Sequence, residues 1–375
     1  MADSLRILAL NWRCHRHPQA GGSEVNLFEQ ARRWVKAGHT VTVLCADPGG
    51  VPCQEDVDGI EVRRMGGRFS VYFHVAFFVL RFGHKYDAIL DISNGIPFWA
   101  HLWTTTPNVL VVHHVHHNQW FEELPWPLAA VGWVLEHKVV PWVYRHRPVI
   151  AVSPTTSEGL IDIGFRPEQL TIIYNGVYQP TKWPIPRHRG GQHIAYIGRL
   201  KHYKRVDLLI TMFARLRDRF PDLHLDLVGD GDDRSRLQRL VKELGLEEHV
   251  TFYGFITEEI KARIMRSATV FATASTHEGW GIAVLEANTY ACPAVAFNVP
   301  GLQVAIRDGE TGYLADTEEE FCAALAKILG DSNLHEQLAS NAQRWAHQFD
   351  WDSCAEQTLR MLELCRGTRH PAPSA

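Results

Sequence analysis

Two glutamates, Glu278 and Glu286, stand with seven residues between them in the segment 277–301, HEGWGIAVLEANTYACPAVAFNVPG. The strand-like run TVFATAS precedes them, and the helix-like run IAVLEANTYA contains the second. Glu278, in the predicted loop, either contacts a ligand or only complements the helix dipole. Glu286 is either an exposed helix residue or a carboxylate in an apolar helix, which would need polar partners such as sugar hydroxyls.

The loop between these two runs supplies backbone amides. Gly279 and Gly281 flank Trp280 directly before the predicted helix. Glycines at this point let the amides face a phosphate or hydroxyl groups, and a helix N-terminus favours negative charge. The segment therefore combines two carboxylates with a predicted anion-binding helix start.

A second candidate is a loop with two cations. The strand-like run HIAYIGR ends in Gly198 and Arg199, and Lys204 follows before the next helix-like run. A forked guanidinium, an ammonium and backbone amides together would bind a diphosphate. Loop cations that are simply solvated are the alternative interpretation.

In the N-terminal half, Gly21 and Gly22 precede Ser23, which we predict to cap the helix SEVNLFEQARRWVKAG. The glycines either let the backbone approach an anionic ligand or only form the turn before this helix. The pattern is not GxGxxG, so a dinucleotide site has poor support.

Four histidines end a predicted strand in HHVHH, residues 113–117. No carboxylate or cysteine nearby completes a metal-binding set, which disfavours zinc. We expect one histidine to face a binding site while the others pack or are solvated. The run GDGDD, residues 229–233, predicts a strand-to-helix turn with capping aspartates rather than a metal cradle. No metal site is therefore predicted.

Strands and helices must alternate to position these loops. The predicted strands are 6–12, 40–46, 86–93, 109–114, 149–153 and 170–175, then 193–199, 223–231, 250–255, 269–275 and 293–299. The segment between the two series, QPTKWPIPRHRGGQ, has no apolar periodicity and predicts a linker. The pattern predicts two α/β halves with doubly wound parallel sheets, in which ligands bind beyond the carboxyl ends of the strands.

Composition limits the class of protein. A chain of 375 residues favours two domains, and 46% apolar with 21% charged residues is typical of a soluble globular enzyme. The net charge of −4 gives no electrostatic reason to expect nucleic-acid binding. Seven cysteines without a CxxC pair favour a reduced, cytoplasmic protein over a disulfide scaffold.

Two apolar segments bear on membrane contact. VYFHVAFFVL, residues 71–80, is too short to span a bilayer. ELPWPLAAVGWVLEHKVVPWVYRHR, residues 123–147, mixes tryptophans with a basic end. It is either a membrane-interface segment that reaches a lipid-linked acceptor or a packed core helix with a basic end.

The segment EGWGIAVLE closely resembles the E-x7-E motif of the family 4 retaining glycosyltransferases, and GR-x4-K at 198–204 resembles their donor-phosphate motif. AGGSE, YNGV, GDG, YGF and DGETGYL resemble further motifs of that family in the same order. The resemblance covers nearly the whole chain. It implies the GT-B fold, two doubly wound Rossmann-like domains that face each other across a cleft.

The resemblance also implies domain bounds. The N-terminal acceptor-binding domain would span 1–180, the linker 181–192 and the nucleotide-sugar-binding domain 193–348. A last helix, 349–366, would cross back to the first domain.

The same resemblance implies roles for individual residues. Arg199 and Lys204 would bind the donor diphosphate, Glu278 the transferred sugar and Glu286 the ribose. The active-site histidine would be His113 or His114. The remaining donor contacts would come from Gly21, Gly22, Gly198, Gly254, Phe255 and the stretch Gly279, Trp280, Gly281 and Ile282.

The implied reaction is transfer of a sugar, with retention, from a UDP- or GDP-linked donor, without metal or further cofactor. The acceptor would be a glycan, a lipid-linked molecule or a small molecule, in cell-envelope polysaccharide or glycoconjugate synthesis. Alternatives are a non-catalytic nucleotide-sugar-binding subunit, an NAD-dependent dehydrogenase, for which the glycine fingerprint is missing, and a GT-B phosphorylase, for which no clear pyridoxal-lysine motif is present.

Overall fold

The computed structural model describes residues 4–18, 20–116, 119–179, 191–276, 278 and 280–367. The chain divides into two units, Met1–Gly176 with Trp351–Ala375, and Val177–Asp350. The predicted linker falls almost entirely on residues 180–190, which lie outside the described ranges.

The first unit is built on an eight-stranded sheet of order β3-β4-β2-β1-β5-β6-β7-β8, in which only the pair β3 and β4 is antiparallel. Its strands are β1 Arg6–Leu10, β2 Thr40–Cys45, β3 Gln54–Val57, β4 Ile60–Arg64, β5 Ala88–Ser93, β6 Asn108–Val112, β7 Val149–Ala151 and β8 Leu170–Ile172. Its helices are α1 Gly22–Lys36, α2 Val71–Phe82, α3 Ala100–Trp103, α4 Gln119–Glu123, α5 Trp126–Val134, α6 Val140–Val143 and α7 Pro154–Asp162. A π-helical turn, Leu135–Val139, joins α5 to α6.

One face of this sheet carries α2, α3, α6 and α7. Leu10, Asp91, Leu110 and Val149 are neighbours in register across four parallel strands and therefore share that face. Buried residues of α2 and α3 pack on the Leu10 side, and those of α6 and α7 pack on the Leu110 and Val149 side.

Asp91 ties these helices to the sheet. Its buried carboxylate accepts hydrogen bonds from the backbone N–H groups of Phe98, at 2.9 Å, and Ala100, at 3.0 Å, and from the hydroxyl of Tyr144, at 2.6 Å. Burial raises the pKa of Asp91, and these three donors oppose that shift. The start of α3 and the end of α6 are therefore fixed to the same strand.

The second unit has a six-stranded, fully parallel sheet of order β11-β10-β9-β12-β13-β14. Its strands are β9 His193–Ile197, β10 His224–Val228, β11 Val250–Gly254, β12 Val270–Thr273, β13 Ala294–Phe297 and β14 Gly312–Ala315. Its helices are α8 Val206–Arg217, α9 Arg234–Glu243, α10 Glu258–Ser267, α11 Ile282–Thr289, α12 Pro300–Ala305, α13 Glu318–Gly330 and α14 Ser332–Ala346. The strands β9, β10, β12 and β13 are largely buried on both faces, which matches their near-continuous apolar runs.

Every strand predicted from the sequence overlaps an observed strand, so the doubly wound α/β prediction is confirmed. The hairpin β3–β4 and strand β14 were not predicted, because their residues are mostly polar or half-buried and lack an apolar run. The last helix, α15, spans Trp351–Gly367 and packs against α1, where the indole N–H of Trp34 donates to the carbonyl of Ala355 at 2.9 Å.

Candidate functional site

The candidate site of the second unit lies where the order of the strands in its sheet reverses. Strand β9 pairs with β10 on one side and with β12 on the other, so the chain order reverses there. Ligands of doubly wound sheets bind beyond the carboxyl ends of the strands at such a point. The loops after β9 and β12 are joined, because the amide and hydroxyl of Thr276 both donate to the carbonyl of Tyr203, at 3.1 and 3.2 Å.

These joined loops bring Lys204 and Glu278 into a direct ion pair. The two side chains are only 13% and 21% exposed. Their mutual attraction therefore offsets part of the cost of removing both charges from water. We predicted them to contact different parts of one ligand, and the structure shows that they also contact each other. A ligand that takes one of them must therefore replace the other as its partner.

Arg199 is the exposed cation of this site. Its Nη2 donates to the hydroxyl of Tyr203 at 3.0 Å, and no carboxylate of the described residues lies within ion-pair distance of it. Beneath it, the hydroxyl of the buried Tyr196 donates to the Arg199 carbonyl at 3.0 Å. Gly198 is needed here, since a Cβ at this position would lie 2.8 Å from the Tyr196 hydroxyl oxygen. The guanidinium is therefore positioned and available to an anion.

Helix α11 starts beside these cations. Its cap residue Gly281 has φ +69°, a conformation that favours glycine, and a Cβ there would lie 2.9 Å from the side chains of Ala305 and Leu302. The N–H groups of Val284 and Leu285 donate to the Gly281 carbonyl, at 2.9 and 3.3 Å. Those of Ile282 and Ala283, at the start of the helix, have no hydrogen-bond partner among the described residues and can bind an anion. Trp280 is buried with its ring edge-on to Phe349 at 4.9 Å, so its indole belongs to the packing. Gly279 lies outside the described residues.

Glu286 lies in the middle of α11 and is partnered by a lysine that the sequence did not single out. Lys261 of α10 places its Nζ 3.4 Å from both Glu286 carboxylate oxygens, and 2.8 Å from Glu258. Burial raises the pKa of Glu286, and Lys261 only partly offsets that shift. The alternative that Glu286 is an exposed helix residue is wrong, since its side chain is 19% exposed.

The loop after β11 presents an aromatic ring. Phe255 is 88% exposed, and Gly254 turns the chain at φ +66° directly before it. Tyr253 is held by its hydroxyl, which donates to Asp226 at 3.2 Å. An exposed aromatic face fixed by a glycine turn is suited to stacking on a planar ring.

In the first unit, Gly21 and Gly22 form the start of α1. The cap position is Gly21, so the prediction that Ser23 caps this helix is wrong. The physical reason is Glu24, whose carboxylate accepts from the Gly21 N–H at 2.7 Å and from the Ser23 hydroxyl at 2.9 Å. Asn11 adds a third donor at 3.3 Å. The predicted anion position at this helix start therefore already holds a carboxylate.

His113 and His114 are both in buried surroundings at the end of β6. Burial lowers the pKa of His113 to about 4 and that of His114 well below its ordinary value, so both rings are neutral at pH 7. The ring of His114 lies against that of His116, with centroids 4.1 Å apart. The Nε2 atom of His113 is buried and has no hydrogen-bond partner among the described residues. Which of the two rings faces a ligand stays a prediction.

A buried glutamate that the sequence analysis missed orders the same strand end. The Glu136 carboxylate accepts a hydrogen bond from the backbone N–H of His116 at 3.0 Å and lies 3.0 Å from the Nδ1 of the same histidine. It also accepts from the indole N–H of Trp120 at 2.7 Å. Burial would raise the pKa of Glu136, but these contacts lower it below its ordinary value. Glu136 lies in the π-helical turn, a feature that is frequent at functional sites. The available signal was a lone acid in the otherwise apolar segment 126–143.

The three aspartates of residues 229–233 are paired with cations, Asp232 with Lys201 and the other two with arginines. Asp230 lies 2.9 Å from Arg234, and Asp233, at the cap position of α9, lies 2.6 Å from Arg236. Within the described ranges no group of three His, Cys, Asp or Glu side chains is arranged to hold a metal ion.

Comparison with known families matches both halves of the chain. Residues 20–178 match the family described as "Glycosyltransferase Family 4", and residues 181–345 match "Glycosyl transferases group 1". A relative from Methanocaldococcus jannaschii, an uncharacterized glycosyltransferase, is 24% identical over 92% of this chain and 94% of its own. The glycogen synthase of Mycobacterium tuberculosis is 26% identical over 98% of this chain and 97% of its own.

Solved structures show the same fold. The sucrose-phosphate synthase of Thermosynechococcus elongatus superposes with a TM-score of 0.78 at 20% identity, over 96% of this chain and 98% of that one. An Anabaena protein solved with UDP and glucose superposes with a TM-score of 0.76 at 22% identity, over 96% of this chain and 100% of that one. The predicted fold is therefore confirmed.

Proposed function

The chain belongs to glycosyltransferase family 4 and has the GT-B fold, and from this premise we propose that it transfers a hexosyl group from a nucleoside-diphosphate sugar to an acceptor hydroxyl with retention. The observation that carries the proposal is the cluster of Lys204, Glu278 and Arg199 beside the start of α11. It joins two cations, a carboxylate and free amides at the carboxyl ends of β9 and β12.

The diphosphate is the group that this cluster suits best. Its oxygens take the place of the Glu278 carboxylate on Lys204, and Arg199 adds a forked contact from the solvent side. Released from Lys204, the Glu278 carboxylate accepts hydrogen bonds from hydroxyls of the transferred sugar. As the sugar–phosphate bond breaks, the two cations and the amides of α11 neutralise the charge that develops on the departing diphosphate.

The nucleoside end of the donor is assigned to Glu286 and Phe255. The Glu286 carboxylate has one cationic partner and retains acceptor capacity for the two ribose hydroxyls. The exposed Phe255 ring is free to stack on the base. A UDP- or GDP-linked donor fits this arrangement, and the Anabaena relative in fold that was solved with UDP supports the uridine form.

No carboxylate is assigned as a nucleophile. Both glutamates of the motif form ion pairs with lysines, and we assign them to binding the sugar and the ribose. Retention is therefore assigned to attack of the acceptor on the same face of the sugar from which the diphosphate leaves. The acceptor hydroxyl then loses its proton to a leaving phosphate oxygen as the new glycosidic bond forms. The active-site role of His113 or His114 and the roles of Gly21 and Gly22 stay predictions.

The acceptor is proposed to be a glycan or lipid-linked molecule in cell-envelope polysaccharide or glycoconjugate synthesis, with a small molecule as the alternative. All seven cysteines are free thiols, which supports placing the reaction in the reducing cytoplasm.

A donor panel tests the proposal. UDP-, GDP- and ADP-linked hexoses are scored for thermal stabilisation and for slow release of free nucleotide. Lys204→Ala is compared with Lys201→Ala, a matched control in the same loop whose ion pair is with the exposed Asp232. We expect one donor to stabilise and turn over in the wild type and control but not in Lys204→Ala. Stabilisation without turnover, even with acceptor extracts, would favour a binding-only subunit, and no response to any donor would contradict the proposal.

A further inference from the structure

Helix α2 exposes an apolar face to solvent. Phe73, Phe77 and Leu80 are 63–79% exposed, and their spacing of four and three residues puts them on one side of the helix. Phe69, just before the helix, is 65% exposed. The opposite side, with Val75 and its neighbours, is buried against the sheet. The helix is thus apolar on both sides, and packing within this unit explains only the buried one.

A second apolar face runs along the helix formed by α5, the π turn and α6. Leu128, Val131, Val134 and Trp142 are 46–65% exposed at helical spacing, and Trp126 at the helix start is 74% exposed. The segment 123–147, for which the sequence left open a membrane-interface segment and a packed core helix, has features of both. One side packs on the sheet through Val140 while the other is apolar and open.

These two faces point in the same direction. Both helices pack on the same face of the first sheet, and Asp91 fixes the start of α3 between them. Leu102 of α3 is 55% exposed. We call the exposed apolar residues of α2, α3, α5 and α6, helices on this side of the first sheet, the outer apolar surface.

The rim of this surface is basic. Arg68 and Arg81 lie over Phe69 and Phe82 at 5.3 and 5.8 Å, and Arg145 lies over the exposed Trp142 at 5.9 Å. Lys85 and Lys138 are also exposed. Residues 65–86 contain no acid, and the segment 123–147 contains two, Glu123 at its start and Glu136, which is buried. The surface is therefore complementary to a negatively charged partner.

We propose that the outer apolar surface docks this protein on an anionic lipid bilayer, with α2 and the α5–α6 helix lying in the interface plane. Exposed Trp, Phe and Leu beside Lys and Arg is the composition of helices that lie in the headgroup region. Protein–protein interfaces, by contrast, are depleted in Lys at the contact. No helix in the described part of the chain is long and apolar enough to cross a bilayer, so the contact is peripheral.

Vesicle flotation tests this inference with the full chain. Vesicles of phosphatidylcholine alone are compared with vesicles in which about a third of the lipid is phosphatidylglycerol. We expect flotation only with the anionic vesicles, and weaker flotation in high salt. Arg81→Gln with Lys85→Gln should lower the vesicle partition coefficient by about fivefold per charge. Phe73→Ser with Phe77→Ser should abolish flotation.

The matched control is on α15, which packs on α1, β5 and β6 and contributes no residue to the clusters beneath the outer apolar surface. Leu364 and Arg360 are exposed there, and Leu364→Ser with Arg360→Gln should float like the wild type. Absence of wild-type flotation, or equal loss in the control, would overturn the proposal. If the wild type does not float but forms a dimer, and Phe73→Ser dissociates that dimer, the proposal is also overturned. The surface would then be an interface with a second copy of the chain. Since flotation needs no donor, its failure is separate from failure of the transferase proposal.

Discussion

The two units place a helix start at comparable points of their sheets, and each holds a glutamate there. In the first unit Glu24 is buried and caps its own helix through the Gly21 N–H. In the second unit Glu278 is bound by Lys204, which lies in another loop 74 residues away. A cap of this kind cannot leave without fraying the helix, whereas an ion pair between two loops can be exchanged for a ligand. The comparison favours a stabilising role for Glu24 and supports the proposed exchange of partners at Glu278.

The largest effect is expected at Arg199. Arg199→Gln removes the exposed cation that faces the developing diphosphate charge, and we expect kcat to fall by about 100- to 1000-fold. Arg199→Lys should recover only part, because an ammonium lacks the forked geometry. Tyr203→Phe, which removes the hydroxyl partner of Arg199, should cost less than Arg199→Gln. Steady-state kinetics with the donor from the panel measure all three, and an unchanged kcat in Arg199→Gln would remove the proposed role.

Glu286→Gln sharpens the contrast between binding and stability. We expect donor affinity to fall by about ten- to a hundredfold, the usual cost of losing hydrogen bonds to a charged group. Burial raises the folded-state pKa of Glu286 above its unfolded value, so its contribution to stability is present at low pH and is lost as pH rises through that raised pKa.

Because burial disfavours the ionised carboxylate, Glu286→Gln should raise the ligand-free melting temperature wherever the wild-type side chain is ionised. Calorimetry at pH 7 with the exposed Glu259→Gln as control checks this. A lower melting temperature together with unchanged affinity would show that Glu286 is structural.

Glu24→Ala should have the opposite profile. Loss of the cap at the start of α1 should reduce the free energy of unfolding by about 1 to 2 kcal/mol. Ser23→Ala, which removes only one donor to the same carboxylate, should cost less. Denaturant unfolding measures both, and unchanged stability with lost turnover would instead place Glu24 in the reaction.

The smallest effect is a pH dependence at His113. Its folded-state pKa of about 4 lies below the ordinary 6.5, so the stability it contributes is present above 6.5 and is lost as pH falls toward 4. His113→Asn should therefore make unfolding less sensitive to acid in this window, and the exposed His84→Asn should not. Melting temperatures measured from pH 7 to pH 4 test this, and identical curves for His113→Asn and the wild type would contradict it.

The strand ends that carry the site could be predicted because apolar runs and turns are local properties of the sequence. The side-chain pairs could not. The ion pairs Lys204–Glu278 and Lys261–Glu286 form only when separate loops and helices pack together. The spacing of residues along the chain does not predict such contacts. The cap of α1 was predicted at Ser23, whereas the helix is capped at Gly21. Ser23 has the residue type that local capping rules favour, but the buried Glu24 carboxylate accepts from the Gly21 N–H and fixes the helix start there. Glu136 was missed because a lone acid in an apolar helix does not reveal its distant partners.

The exchange of partners at Lys204 is the central claim, and a double-mutant cycle for binding of the nucleoside diphosphate identified by the panel tests it most directly. Without the sugar, the Glu278 carboxylate only competes for Lys204, so Glu278→Gln should bind the nucleoside diphosphate more tightly than the wild type. Lys204→Ala should bind it more weakly, and adding Glu278→Gln to Lys204→Ala should change nothing further. If Glu278→Gln instead weakens binding of the sugar-free nucleoside diphosphate, the ion pair supports the site rather than yielding to the donor, and the account is contradicted.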